Sequence, residues 1–279
     1  MKKTILILCL ILFCLGLGKG IYFARKGFSL RRVAAPVRLQ LEAWDSKADE
    51  ILQQPFHYLG RGRQCFAFES ADGKTILKFP RTDIYQIPFL EKVLPALSRR
   101  GTETREEREK FILNSMRIAF EDLHEETGVL ALHLCQTEDL GKKLTIRDSL
   151  GLTYHLPVAK TAFVLQAKYP ILMKAFTAAL EDENKEKAKE ILDAFIDVVV
   201  KRGQKGIWNK DGSFLRNYGF DGQKGYQIDI GSFYFKDDWV ASVRDSFHPV
   251  RSWLENLDEG MLSYFDESLE TRIKEFRDI

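Results

Sequence analysis

Residues 207–231, IWNKDGSFLRNYGFDGQKGYQIDIG, concentrate the polar chemistry of this chain. They hold three oxygen-bearing side chains, Asp211, Asn217 and Asp229, on a turn, a loop and the end of an apolar run. In Gln227-Ile228-Asp229-Ile230-Gly231 one carboxylate lies between two aliphatic residues and a glycine follows, which predicts a buried strand with the carboxylate at its exit. A charge in such a place is costly unless it meets a cation or a metal. Asp229 and Asn217 suit a hard divalent ion such as Mg²⁺, leaving Asp211 to orient a hydroxyl nucleophile. The same residues also fit a plainer arrangement. Asn209-Lys210-Asp211-Gly212 and Asp221-Gly222 are both turn signals, and two hairpins with a capped strand would use them equally well.

A second informative stretch lies upstream. Residues 56–79, FHYLGRGRQCFAFESADGKTILKF, read as a strand, a turn at Gly60 and Gly62, a return strand through Phe66 and Phe68, an Asp72-Gly73 turn, and a strand ending near Lys78. Glycines at 60 and 62 let the backbone approach a phosphate closely. Lys78, inside the apolar run Ile76, Leu77 and Phe79, requires an anion.

The run LGRGRQCFAFESADGKTILKF resembles the Gly-rich loop and third-strand lysine of the protein-kinase-like superfamily, with Lys78 as the lysine that meets the nucleotide phosphates. Residues 207–231 then resemble its catalytic loop and metal-binding motif. Asp211 resembles the catalytic-loop aspartate, Asn217 the Mg²⁺-binding asparagine, and Asp229-Ile230-Gly231 the Asp-Phe-Gly motif. The resemblance covers most of residues 55–235. It implies an α+β, two-lobed kinase-like fold: a small antiparallel-sheet N-lobe and a mainly helical C-lobe, behind an N-terminal hydrophobic helix. It further implies ATP bound through Gly60, Gly62 and Lys78, Mg²⁺ held by Asn217 and Asp229, and transfer of the ATP γ-phosphate to a hydroxyl acceptor helped by Asp211. The departures are specific. Cys65 stands for the third glycine, Ala67 for the usual valine, Asn209-Lys210 for His-Arg, and Asp211 precedes Asn217 by one residue more than the family pattern. These favour the alternative of a membrane-tethered pseudokinase that binds nucleotide as a regulatory module.

Around these motifs, 45% hydrophobic and 29% charged residues mark a folded globular chain. The formal charge of +2 conceals an asymmetry: residues 1–33 hold seven Lys or Arg and no acid, so the remainder carries −5. A body of that sign has no general nucleic-acid footprint. Cys9 and Cys14 lie in the leader, and Cys65 and Cys135 lack the paired spacing of a zinc site or disulfide framework, so free thiols are expected in a reducing compartment.

Lys2 and Lys3 precede the fifteen apolar residues TILILCLILFCLGLG. That length suits a signal-peptide core, and continuing to Phe23 brings it to the ~20 residues that span a bilayer. No A-x-A cleavage signal follows, which favours an uncleaved anchor over export after cleavage. Lys19, Arg25, Lys26, Arg31 and Arg32 outweigh the charge before the run and place the body on the cytoplasmic side.

The expected divisions are a hydrophobic leader at 1–24, a basic linker and amphipathic helix at 25–54, the N-lobe at 55–168 and the C-lobe at 169–279. Helical spacing marks 38–53, 105–126, 188–199, 239–254 and 261–276, and strand patterns mark 129–134, 144–147, 152–156 and 162–168. Pro88 and Pro95 make 80–97 irregular. In a kinase-like fold the helix at 105–126 supplies a glutamate to Lys78, and Glu109 and Glu121 are both candidates. The fifty residues after Asp229 show neither an Ala-Pro-Glu segment nor a large helical platform, closer in style to bacterial small-molecule or lipopolysaccharide-core kinases.

Overall fold

The computed structural model describes Phe13, Gly16, Leu17, Gly20 and residues 22–33, 42–44, 46–81, 102–138 and 140–277. Most of the leader and of the irregular 80–97 interval lie outside the described residues. Among the described residues no helix is long and apolar enough to cross a membrane.

The chain is mixed α+β. It runs through β1 (Glu42–Trp44), α1 (Ser46–Leu52), β2 (Phe56–Arg61), β3 (Cys65–Ser70) and β4 (Thr75–Pro80) to α2 (Thr102–Glu121) and α3 (His124–Thr127). Then come β5 (Val129–His133), β6 (Lys143–Arg147), β7 (Thr153–Pro157), β8 (Phe163–Ala167), α4 (Leu172–Glu181) and α5 (Lys185–Gln204). The last elements are β9 (Ile207–Asn209), α6 (Phe214–Asn217), β10 (Tyr218–Phe220), β11 (Gly225–Gln227), β12 (Phe233–Phe235), α7 (Trp239–Glu255) and α8 (Glu259–Arg277). Two compact units emerge, residues 1–86 with 133–164 and residues 87–132 with 165–279, the division falling within β5 and β8.

In the first unit β4, β3, β2, β6 and β7 lie side by side. The expected sheet was antiparallel throughout, but β2 pairs with β6 in parallel, Phe56 opposite Ile146 and His57 opposite Arg147. Only the hairpins β2–β3, β3–β4 and β6–β7 have their sense set by short connections; β6 returns from far along the chain and is free of that constraint. The β3–β4 turn forms where Asp72-Gly73 predicts it. Gly73 takes φ +72, and Ser70 Oγ donates to the Asp72 carboxylate at 2.6 Å.

Strand alternation then sorts side chains by face. Ala67 lies opposite Lys78, while Phe66 lies opposite Phe79 and Phe68 opposite Leu77. Lys78 and Ala67 therefore share one face, and the three phenylalanines and Leu77 share the other, all four fully buried. Residues 22–33 cover this second face. Phe28, 2% exposed, meets the Phe66 and Phe68 rings at 5.5 and 5.2 Å, and buried Val33 accepts from the Ala162 N–H at 3.1 Å. Arg25 pairs at 3.4 Å with Asp148, whose side chain is wholly buried, and also donates to the Tyr154 hydroxyl. Residues assigned by sequence to a basic linker are thus part of the unit.

The helix expected over 38–53 is a correction of similar kind. Residues 38–41 lie outside the described residues, Glu42–Trp44 is strand β1, and the described helix is Ser46–Leu52. Extended backbone there finds a tertiary ladder that local spacing does not register.

The second unit is built on α5, whose apolar side packs against α4, α7 and α8 around Phe176, Leu192, Phe195, Val199, Phe247 and Phe265. Asn184 caps α5 by accepting from the Lys187 N–H at 3.0 Å, and Gly206 at φ +67 turns the chain out of it into β9. The 105–126 helix resolves into α2 and α3, closed by Gly128 at φ +64. Helix α4 had no counterpart in the sequence reading, although Leu172, Met173, Phe176 and Ala179 are its buried face.

Candidate active site

The sequence-predicted residues fall into two sets, one in each unit. In the first unit Gly60 and Gly62 close β2. Strand β2 carries a bulge: Tyr58 lies opposite Phe68 but Gly60 opposite Ala67, so Leu59 is the extra residue. Neither Gly60 nor Gly62 has a positive φ, and a Cβ on Gly60 would meet nothing within 4 Å. No conformational need of the chain requires glycine at 60. The space is open, as close approach of a phosphate to the backbone would require. The Gly62 N–H donates to the Cys65 carbonyl at 2.9 Å, tightening the turn at the position where the third glycine is missing. Neither Cys65 nor Cys135 is in a disulfide. Lys78 stands half-buried on the Ala67 face.

In the second unit β9 pairs with β12, Asn209 opposite Phe233, and the Lys210 N–H donates to the Ser232 carbonyl at 2.9 Å. The loop after β9 is thereby fastened to the segment after Asp229. Asp211 is exposed. Its Oδ1 accepts from the Ser213 N–H at 2.9 Å, and its own N–H donates to Asn209 Oδ1 at 2.9 Å. Two successive Asx turns thus shape this loop, and Asn209, at the family's histidine position, serves one of them. The interval between Asp211 and Asn217, one residue longer than the family pattern, holds the single helical turn α6.

The predicted buried strand over 227–231 is corrected here. Strand β11 ends at Gln227, and the next two N–H groups, of Ile228 and Asp229, both turn to the Asn217 carbonyl at 2.8 and 3.4 Å. That shared acceptor draws the chain out of the ladder and brings Asp229 beside Asn217. The Asp221-Gly222 signal is a true hairpin turn between β10 and β11. Asp229 is half-buried, and its Oδ1 accepts from the Gly231 N–H at 3.3 Å. Asn217 is 7% exposed, and its Nδ2 is buried with no hydrogen-bond partner. A buried amide left partly unsatisfied fits a position that gains partners when a ligand arrives. The pair offers the hard oxygen donors that Mg²⁺ prefers, with phosphate oxygens or water completing the shell. Among the described residues no group of three or more His, Cys, Asp or Glu is placed to hold a metal without such help.

Two supporting residues escaped the sequence reading. Ser115, fully buried on α2, donates to the Ile230 carbonyl at 2.7 Å and accepts from the Phe233 N–H at 2.6 Å, holding the Asp229-Ile230-Gly231 segment from both sides. Its signal was a polar residue at i+3 from Ile112 on an apolar helical stripe. Arg202 on α5 is 1% exposed and donates to Gln227 Oε1 at 2.5 Å, the Tyr218 hydroxyl at 3.2 Å and Ser246 Oγ at 2.7 Å. Tyr218 follows Asn217 and Gln227 precedes Asp229 by two, so this one guanidinium braces both arms of the hairpin that carries the candidate metal ligands. Of the two candidate glutamates, Glu121 ion-pairs with Arg117 at 3.8 Å and Glu109 is half-buried on α2.

No protein-family model and no curated protein sequence matches the chain. Among solved structures it is similar to WbdD co-crystallised with the kinase inhibitor LY294002, at 16% identity and a TM-score of 0.43 over 77% of this chain and 44% of that one. A 2.2 Å crystal structure of WbdD matches at 15% identity and TM-score 0.38, covering 76% and 44%. A third structure, of the bifunctional kinase-methyltransferase WbdD, matches at 14% and 0.37, covering 76% and 43%. The chain thus spans less than half the length of the solved proteins it matches.

Proposed function

We propose that this chain is a kinase-like phosphotransferase that moves the γ-phosphate of ATP to the hydroxyl of a small acceptor. The observation that carries the reading is the shared Asn217 carbonyl, which holds Asp229 beside Asn217 at the end of a hairpin braced by Arg202 and fastened by Ser115. Lys78, alone of its apolar strand in carrying a charge, is the residue to meet the phosphates. A bound Mg²⁺ would neutralise phosphate charge, with Asn217 and Asp229 as its protein ligands. Asp211, exposed in its turn, would orient the acceptor and take the hydroxyl proton as the new O–P bond forms and ADP leaves.

A small acceptor fits because only Ser232, β12 and the link Lys236–Asp238 separate Gly231 from α7, leaving no long segment there for docking a protein substrate. Attachment to a membrane through the leader, with the body in the nucleotide-containing cytoplasm, is the placement that suits this chemistry. The second reading, a pseudokinase that binds nucleotide without turnover, draws on Asn209, which shapes the loop at the family's histidine position.

Calorimetric titration of the full chain with ATP, with and without Mg²⁺, tests the reading. Saturable Mg²⁺-dependent binding is expected, weakened by Lys78→Ala by roughly tenfold to more than a hundredfold, the size of a charge-assisted contact. No saturable binding by the wild type would refute both readings. Binding without turnover on any hydroxyl acceptor would select the pseudokinase.

A further inference from the structure

A cavity in the first unit, lined by side chains of the sheet face opposite Lys78, shares only the Gly60 backbone with the nucleotide reading. Without the bulge, alternation would put Tyr58 and Arg61 on opposite faces. With Leu59 as the extra residue, Arg61 lies opposite Phe66 and so joins Tyr58 on the Phe66 and Phe68 face. Residues 22–33 cross that face and leave an open cavity of about 420 Å³ against it, lined by Tyr22, Phe23, Lys26, Gly27, Tyr58, Gly60 and Arg61.

The lining is cationic and rich in hydroxyl groups. The Arg32 and Arg61 guanidiniums beside the Tyr22 hydroxyl hold that phenol below its usual range. The Arg32 guanidinium lies 5.1 Å from the Tyr22 ring, and the Lys26 ammonium lies 5.7 Å from the Tyr58 ring. None of the lining residues is an acid, although the chain after residue 33 is acidic on balance. Tyr58 belongs to the lining, and its hydroxyl is buried with no hydrogen-bond partner, so it gains one if a ligand seated there draws it out. The turn that forms the cavity is shaped for it. Lys26 and Gly27 take φ +49 and +79, and a Cβ on Gly27 would collide with the Arg61 guanidinium.

We propose that this cavity is a phosphate-binding site, separate from the Lys78 face. Two cations and an unpaired phenol hydroxyl match the charge and acceptor oxygens of a phosphate group. A phospholipid headgroup and a soluble phosphate both present that chemistry. The headgroup is the source that fits the position, because the cavity begins at Tyr22 and Phe23, 39% and 74% exposed, at the end of the apolar leader whose membrane attachment is proposed above.

The full chain in non-ionic detergent, titrated by calorimetry at constant ionic strength, distinguishes the sources. The probes are dihexanoylphosphatidic acid, inorganic phosphate, and dihexanoylglycerol as the phosphate-free control. One saturable site is expected for the lipid and none for the control. Arg61→Gln and Lys26→Gln should each weaken it about tenfold, the size of a lost charge-assisted hydrogen bond. Tyr58→Phe, which keeps the ring packing, should weaken it by a smaller factor with an unaltered fold. Binding of inorganic phosphate as tight as that of the lipid would uphold the site and assign it to soluble phosphate. No saturable binding of either probe, or equal binding by the three variants, would overturn it. Saturating Mg·ATP should leave the lipid titration unchanged whether or not ATP itself binds; displacement by ATP would merge this cavity with the nucleotide site and also overturn the proposal.

Discussion

Asp211 and Asp229 differ in setting, and their variants should differ in kind. Asp229 is half-buried beside Asn217, whereas Asp211 is exposed on a turn of its own. Asp229→Asn should abolish Mg²⁺-dependent turnover and weaken Mg·ATP binding, since on the proposed reading it removes a metal ligand. Asp211→Asn should cut turnover by roughly 10²- to 10⁴-fold, the usual share of a general base, with nucleotide affinity nearly unchanged. Matching calorimetry and initial rates for the two variants checks this; equal rates for Asp211→Asn and wild type would reduce the loop to a turn. Gly60 permits a sharper test. A Cβ there meets nothing in the chain and φ is ordinary, so Gly60→Ala should unfold at the wild-type temperature. If a phosphate occupies that open space, the same variant should bind ATP more weakly, and an unchanged affinity would remove Gly60 from the nucleotide site.

Among the elements, the 22–33 segment is the one whose removal has the largest predictable cost. Phe28→Ala empties a site between Phe66 and Phe68 and should destabilise by about 3–5 kcal/mol. Arg25→Gln leaves the wholly buried Asp148 carboxylate without its cation and should cost about 3 kcal/mol. A chain beginning at Ala34 loses both contacts, so chemical denaturation should find it far less stable than the intact protein, and equal midpoints would show the segment to be a passive linker. The pairing of α5 with α8 offers a pH test. Burial and the hydrogen bond from the Tyr264 hydroxyl to Asp193, at 2.7 Å, push that phenol up to about 12. A phenol that holds its proton more tightly when folded contributes stability in full below its ordinary value near 10, and that stability fades as pH rises toward 12. The unfolding midpoint should therefore fall between pH 10 and 12 in the wild type, more steeply than in Tyr264→Phe.

For the whole molecule, the candidate nucleotide residues divide between two units, Gly60, Gly62 and Lys78 in one and Asp211, Asn217 and Asp229 in the other. A nucleotide bound as proposed should stabilise the chain by RT ln(1 + [L]/Kd), about 2.7 kcal/mol at a hundred times Kd. Thermal unfolding with Mg·ATP should show that rise in the wild type, with Lys78→Ala and Asp229→Asn each losing it; a rise kept by either variant would remove that residue from the nucleotide site. What the sequence determined by itself was whatever depends on neighbours along the chain. The β2–β3–β4 hairpins, the capped α5, the Asp221-Gly222 turn and the polar triad at 211, 217 and 229 all follow from local spacing and turn chemistry. The tertiary structure decided what depends on partners distant in the chain. It set β6 parallel to β2, converted part of the 38–53 helix into β1, and ended β11 at Gln227 because the Asn217 carbonyl captures the next two N–H groups. It also turned a basic linker into the cover of a phenylalanine face, since Arg25 reads as a flanking charge until Asp148 is seen buried beneath it. A local pattern records a residue's own preferences; a buried charge or an unpaired backbone group is satisfied by whichever partner the fold brings near, and that partner is absent from the pattern.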